Sequence, residues 1–534
     1  MVRWLVLLLM LVGVTGGRGG DGALVTVGEA SGFVQTARLG EVESFLARLA
    51  DRSPLVRLGT LGWSFEDRAI PLAILADPPV NGAGEVGDRL VVLLMGSIHA
   101  GEICGKEALL MLARDIAAER AEGRDTLLDH LVLCFVPVYN ADGNERVAPD
   151  NRPGQAGPVE MGIRENAQGL DLNRDWVKMD APETRAMVAF LNAWDPAVIV
   201  DTHTTNGSNH RFTMTYQGPK HPAGDPRVIE FVRDIMLPVI DRRFEAATGY
   251  HAFFYGNFED RRSKWTTFPA EPWYGVAYRG LRNRLSILTE AYAYAPFEDR
   301  VRSTEAFCRE ILRFTAERRR EISDLITAAD RATIELGLAS APLAVHTAAR
   351  AFAQPATILG YEEPDDLGAH GERADIDPAD AAHRDYTVSF YNDFVPTLEV
   401  NRPAAYLVPA AFTEIIDRLR AHGVRLETAG GEGIRTVAAE IYTIESVERN
   451  ERPWQNRTRM QLCVALEPGS AGVHPGDTIV RTDQPLGSLA AYMLEPQATG
   501  GFAAWGFFGG LASGGAYPIA RLDADAVRAL GFTR

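Results

Sequence analysis

Leu90-Val91-Val92-Leu93-Leu94-Met95 runs directly into Gly96-Ser97-Ile98-His99-Ala100-Gly101-Glu102. An unbroken apolar run without polar alternation fits a strand covered on both faces, not one with a wet side. Behind it, residues 107–118 space Leu109, Leu112, Ala113 and Ile116 three and four apart, the period of a helix. A buried strand that turns past a glycine into such a helix is the repeating unit of an α/β domain. The pattern recurs. Residues 131–138, 198–200 and 285–288 are apolar on both faces, and residues 182–194, 228–240 and 304–326 have helical spacing. Residues 182–194 also open on Pro182 and Glu183, which suit a helix start. The expectation is a mainly parallel sheet, with ligand chemistry gathered just past the C-terminal ends of its strands.

The rest of the composition narrows the class. The chain has 534 residues, enough for several domains, and 71 Asp+Glu against 54 Lys+Arg give a net charge of -17. That balance argues against nucleic acid or an anionic membrane surface as partner. Only Lys106, Lys178, Lys220 and Lys264 are lysines. Cys104, Cys134, Cys308 and Cys463 are too scattered for a disulfide framework or a cysteine zinc site, and buried free thiols are expected.

Arg3, an apolar stretch over 4–14 and small residues to Gly20 read as a secretory signal peptide over residues 1–17, which places the mature chain in a secreted or periplasmic setting, without a membrane anchor after cleavage. A catalytic α/β domain is expected over 30–330. The acidic, Pro-rich residues 361–385 suit a linker or loop. Alternating segments at 387–391, 436–442 and 460–466, with one helix-like stretch at 410–422, suggest a β-rich accessory domain over 340–534. Its Gly-rich end near Trp505 would pack on the first domain.

The chemistry-bearing residues stand at the strand ends. His99 and Glu102 sit at a strand-to-helix corner, where Gly101 keeps the turn uncrowded. Asp201-Thr202-His203 closes another apolar run. Two histidines and one glutamate make an open zinc site when a water fills the fourth position, and Asp201 is placed to fix the His203 tautomer. Glu290 ends the last run, where a partly desolvated carboxylate suits a general base. Asn173 beside Arg174 offers an amide and a planar fork for a substrate carboxylate. The bland alternatives are a helix-capping Glu102, a core His203 and a salt-bridged Glu290 paired with Arg282 or Arg284.

His99-x-x-Glu102, Asn140-Ala141-Asp142-Gly143, Gly169-Leu170-Asp171-Leu172-Asn173-Arg174, His203 and Thr289-Glu290 stand in the order and context of the M14 (carboxypeptidase A-like) zinc carboxypeptidases. Over residues 45–325 the chain resembles that family, and its accessory domain, absent from the simplest members, is similar to that of large secreted bacterial relatives. The resemblance implies an α/β/α sandwich around an eight-stranded mixed sheet and one zinc ion per chain. It implies that His99, Glu102 and His203 bind the zinc and that Glu290 is the catalytic base. Asn173 and Arg174 would hold the C-terminal carboxylate, and Arg164, or less directly Arg152, would polarise the scissile carbonyl. A tyrosine before Glu290, Tyr278 or Tyr274, would cover the substrate, with Tyr278 placed first. Ala141 stands where the family usually has Pro, and Asp175 where Asn is common. The implied activity is hydrolysis of C-terminal bonds in peptides or muropeptides with a free carboxylate. The alternatives are a deacylase or cell-wall peptide amidase on the same fold, or a catalytically silent binding protein.

Overall fold

A computed structural model of the chain describes residues 23–205, 207–363 and 380–532. The expected signal peptide and most of the acidic segment lie outside them. Among the described residues no helix is long and apolar enough to cross a membrane.

The first ten strands are β1 (Val56–Trp63), β2 (Ala69–Leu75), β3 (Leu90–Gly96), β4 (Leu131–Val136), β5 (Val198–Thr205), β6 (Met214–Gln217), β7 (Ala252–Phe254), β8 (Asn257–Glu259), β9 (Lys264–Thr266) and β10 (Leu285–Tyr292). Eight of them form one sheet in the order β1-β2-β4-β3-β5-β10-β6-β7. Its centre, β4-β3-β5-β10, is parallel. The pairs β1/β2, β2/β4 and β10/β6 are antiparallel, so the sheet is mixed. Every residue of β4 and β5 is buried, which accounts for their continuous apolar runs: both faces are covered. The helices Cys104–Ala121 and Phe297–Glu317 pack on one another, and Pro182–Trp194 packs on β1. Each fully buried Leu or Val of β3 and β4 contributes about 1.5–3 kcal/mol of burial.

Two helical stretches depart from simple periodicity. Residues 226–248 form a continuous helical stretch that passes through a π-helical segment, Phe231–Met236, just before Pro238. Proline lacks the N–H that a regular turn needs there, and the wider turn accommodates the loss. Residues 304–326, read as one helix, fall in two, Phe297–Glu317 and Arg319–Leu338, with Arg318 off helical geometry between them.

The later strands are β11 (Pro342–Ala351), β12 (Ala356–Tyr361), β13 (His383–Asn401), β14 (Ala405–Val408), β15 (Glu427–Thr428), β16 (Arg435–Arg449), β17 (Met460–Val473), β18 (Thr478–Arg481) and β19 (Ala520–Leu522). Six of these form the sheet β15-β18-β14-β19-β16-β17. Strand β13 pairs with β11 and β12 and also, in parallel, with β9, from Ser389 opposite Lys264 to Tyr391 opposite Thr266. The C-terminal region therefore shares a sheet with the first part of the chain. All four cysteines are free: Cys104, Cys134 and Cys308 are buried, Cys463 exposed.

Candidate metal centre and active site

The corner after β3 brings His99 and Glu102 together within one turn, closed by the Glu102 N–H donating to the His99 carbonyl at 2.9 Å. Gly101 is required there. A Cβ on it would lie 2.5 Å from the Gly162 carbonyl oxygen and 2.7 Å from the Arg152 side chain. His203 arrives from β5 and Glu290 from β10; the two are register partners in the parallel pair, so their side chains share one sheet face.

His99, Glu102 and His203 each offer a ligand atom within 4.8 Å of the others, and all three are buried. The two Nδ1 atoms stand 3.3 Å apart. Glu102 Oε1 is 3.0 Å from His99 Nδ1, and Oε2 is 3.0 Å from His203 Nδ1. Two ligands on a tetrahedral ion with bonds of about 2.0–2.1 Å are separated by about 3.3 Å. The donor set and its spacing fit zinc.

Behind each imidazole stands a carboxylate. His99 Nε2 lies 3.1 Å from Asp171 Oδ1, and His203 Nε2 lies 3.2 Å from Asp201 Oδ1. Asp171 Oδ2 accepts from Arg164 Nε at 2.9 Å, and Asp201 Oδ2 from the buried Arg279 at 2.6 Å. Burial works against the Glu102 anion, but His99, Arg152 and His203 hold its pKa well below the usual carboxylate range. Burial likewise works against the His203 cation, and Asp201 followed by Glu102 and Glu290 raises it far above the ordinary imidazole value. Protons and metal thus compete for this site.

Glu290 is different. Its Oε2 is buried with no hydrogen-bond partner among the described residues. Burial first, and Glu102 next among the groups that raise it, push its pKa up to about 8 against the opposing pull of His203, Arg164 and Arg152. Arg164 Nη1 reaches 3.3 Å from His99 Nδ1 and 3.6 Å from Glu102 Oε1, while Arg152 donates to Glu102 Oε1 at 3.0 Å. Both arginines are at the centre. Asn140 caps the helix Ala141–Glu145 by accepting from Gly143 N, and its amide donates to the Arg164 carbonyl at 3.2 Å. That motif positions Arg164.

Asn173 Oδ1 accepts from Gly275 N at 2.8 Å, and Arg174 lies over the Tyr274 ring, 4.3 Å from its centroid. Tyr278 is not at the site. The helix Gly275–Gly280 turns it inward, where it is fully buried against Trp176 with its hydroxyl 2.8 Å from His422 Nδ1. Of the two tyrosines, Tyr274 is the one beside Arg174.

Residues 42–252 match the family model of the peptidase M14 zinc carboxypeptidases.

This stretch is a zinc carboxypeptidase domain.

The chain is an enzyme of the metallocarboxypeptidase class. It is similar to Carboxypeptidase 2 of Trichophyton rubrum, 24% identical over 518 residues covering 93% of this chain and 89% of that one. It is 30% identical to human Carboxypeptidase D over 185 residues, 28% of this chain and 13% of that protein. These named relatives are fungal and animal, not bacterial. The crystal structure of carboxypeptidase A from Helicoverpa armigera aligns with a TM-score of 0.40 at 16% identity, covering 53% of this chain and 75% of that one.

The site also draws on groups that sequence reading did not assign. Asp171 was visible only as part of a motif; its partner His99 is 72 residues away. Arg279 reaches Asp201 across 78 residues. The C-terminal region enters too: Asp171 N donates to Gln455 Oε1 at 2.8 Å, and Asn456 to the Gln168 carbonyl at 3.2 Å. No pattern in the sequence marks those contacts.

Proposed function

We propose that the chain is an exported zinc-dependent carboxypeptidase that removes the C-terminal residue of peptides with a free carboxylate. The observation that carries this reading is the cluster of His99 Nδ1, His203 Nδ1 and the Glu102 carboxylate at mutual spacings of 3.0–3.3 Å, each imidazole backed by its own aspartate. Those three side chains would hold the ion. Zinc bound there supplies Lewis acidity that polarises a peptide carbonyl and acidifies water.

The protein's own groups do the rest. Glu290 Oε2, unpartnered and buried beside His203, takes a proton from the attacking water and returns it to the departing amine. Arg164 and Arg152, already aimed at the centre, stabilise the charge that develops on the carbonyl oxygen. Arg174 and Asn173 hold the terminal carboxylate and so enforce exopeptidase action. Tyr274 closes over that end.

Purified protein is expected to contain about one zinc ion per chain and to release the last residue of blocked dipeptides. Glu290→Gln is expected to lose about 10²–10⁴-fold or more in kcat while keeping its metal. Full activity in that variant, or a zinc-free protein that will not load, overturns the reading. A parallel digest of cell-wall stem peptides separates a muropeptidase from a general carboxypeptidase.

A further inference from the structure

The chain has only four lysines, and three of them are buried. Lys178 is paired with Asp175 and Asp180, and Lys106 donates to the Ala37 carbonyl and to Asn144. Lys220 differs. It comes just after β6, is 5% exposed, and among the described residues its ammonium makes one hydrogen bond, to Thr267 Oγ1 at 3.0 Å. It lies 3.3 Å from the centroid of Phe268 and 5.3 Å from that of Phe394. Aromatic faces and one hydroxyl stabilise a buried ammonium only in part, so burial pushes the Lys220 pKa well below the ordinary lysine value, and only one of its N–H donors has an acceptor among the described residues. Glu271, the acid whose charge bears on Lys220, forms no ion pair with it among the described residues, and one of its own oxygens is unpartnered there.

The surroundings of Lys220 lead to the catalytic face. Thr267 Oγ1 donates to Gln217 Oε1 at 3.4 Å. Gln217 opposes Leu288, and Thr215 opposes Glu290, in the antiparallel pair β6/β10, so Gln217, Thr215 and Glu290 share one sheet face. Phe268 packs on Tyr255 at 5.4 Å and on Tyr274 at 4.9 Å, and Tyr274 is the ring under Arg174. Burial, and then Glu290, push the Tyr255 phenol up to about 12, which places it within the field of the base. Tyr255, Phe268 and Tyr274 thus form an aromatic run from the field of Glu290 to Arg174, with the Lys220 amine over the Phe268 ring and no carboxylate paired with it among the described residues.

We propose that Lys220 selects an acidic side chain, Glu or Asp, on the C-terminal residue that is released. The assignment rests on the carboxypeptidase reading above and names its substrate class. A side-chain carboxylate lying along the aromatic run supplies both the acceptor and the negative charge that favour the protonated Lys220 amine, while Arg174 and Asn173 keep the main-chain carboxylate.

The test uses zinc-loaded full chain and three blocked dipeptides that differ only in ending with Glu, Leu or Lys. Wild type is expected to favour Glu over Leu by about tenfold or more in kcat/KM, and Lys220→Met to reduce that ratio by about tenfold or more. Lys220→Arg, which restores the charge, is expected to recover part of the preference. Competitive inhibition of wild type by N-acetyl-Glu and N-acetyl-Leu reads the same preference without any variant. A wild type that favours Leu or Lys, equal inhibition by the two acids, or an unchanged ratio in a folded Lys220→Met overturns the proposal. Hydrolysis of none of the three peptides instead overturns the carboxypeptidase reading itself.

Discussion

An imidazole has two nitrogens, and committing one decides what the other can do. In His99 and His203 the Nε2 side faces a carboxylate, which leaves the Nδ1 sides turned toward each other and Glu102, where a bound metal would take the Nδ1 lone pairs in place of protons. Asp171 is the more demanding of the two carboxylates, because it also anchors Arg164 and accepts from Asn173 N at 2.8 Å. Asp171→Asn keeps the shape and removes the charge, and is expected to weaken zinc binding by about 10–100-fold. Competition with a chromogenic chelator measures this, with circular dichroism as the folding control. Unchanged affinity would mean that His99 is oriented by something else. His99, Glu102, His203 and Glu290 were legible in the sequence because each ends an apolar run, where a polar side chain has no packing role. Asp171 and Arg279 act through partners brought close only by the fold. Tyr278 misled because spacing along the chain does not say which way a short helix turns its residues.

At the scale of elements, the strands of the parallel centre were readable because burial on both faces leaves only apolar residues to choose from. The small strands β6 to β9 were not, since three- and four-residue segments carry no period. The hairpin β16/β17 is the element whose role was least visible. Between its strands, Trp454 and Arg457 exchange backbone hydrogen bonds around Gln455 and Asn456, both at positive φ (52° and 62°), which makes a tight primed turn. Trp454 stacks on Trp505, with centroids 5.2 Å apart, and meets Trp273 edge-on, with Arg459 against all three. This props the turn against the carboxypeptidase domain, where Gln455 receives the Asp171 N–H. Gln455→Ala leaves that donor to solvent, with an expected loss of about 1 kcal/mol. The consequence should be a lower Tm together with a lower kcat/KM, because the loosened residue is the one that orients His99. A fall in Tm alone would restrict the turn to a structural part.

For the whole molecule, the question is whether the two halves of the chain unfold together. Strand β13 joins them through β9, and Asp180 ties them electrostatically. Arg457 grips Asp180 with two bonds of 2.7 Å, Arg418 with one of 2.8 Å, and Lys178 stands 3.4 Å away. Burial alone would raise the Asp180 pKa; Arg457, Lys178 and Arg418 outweigh it and hold it at about 2. The folded value is below the unfolded one of about 3.8, so the ionised carboxylate stabilises the fold above about pH 4, and that contribution is lost as pH falls toward 2. The difference of nearly two units corresponds to about 2 kcal/mol near neutrality. Asp180→Asn removes the anion and leaves three cations around a neutral amide. Urea unfolding of the chelator-treated protein, which takes metal loss out of the comparison, is expected to show one transition in wild type. The variant should be less stable by about 2 kcal/mol at pH 7, and the gap should narrow below pH 4. A gap that persists unchanged at pH 3 would locate the effect in packing instead of charge. Two separate transitions in wild type would show that the C-terminal region folds independently of the carboxypeptidase domain despite the strand they share.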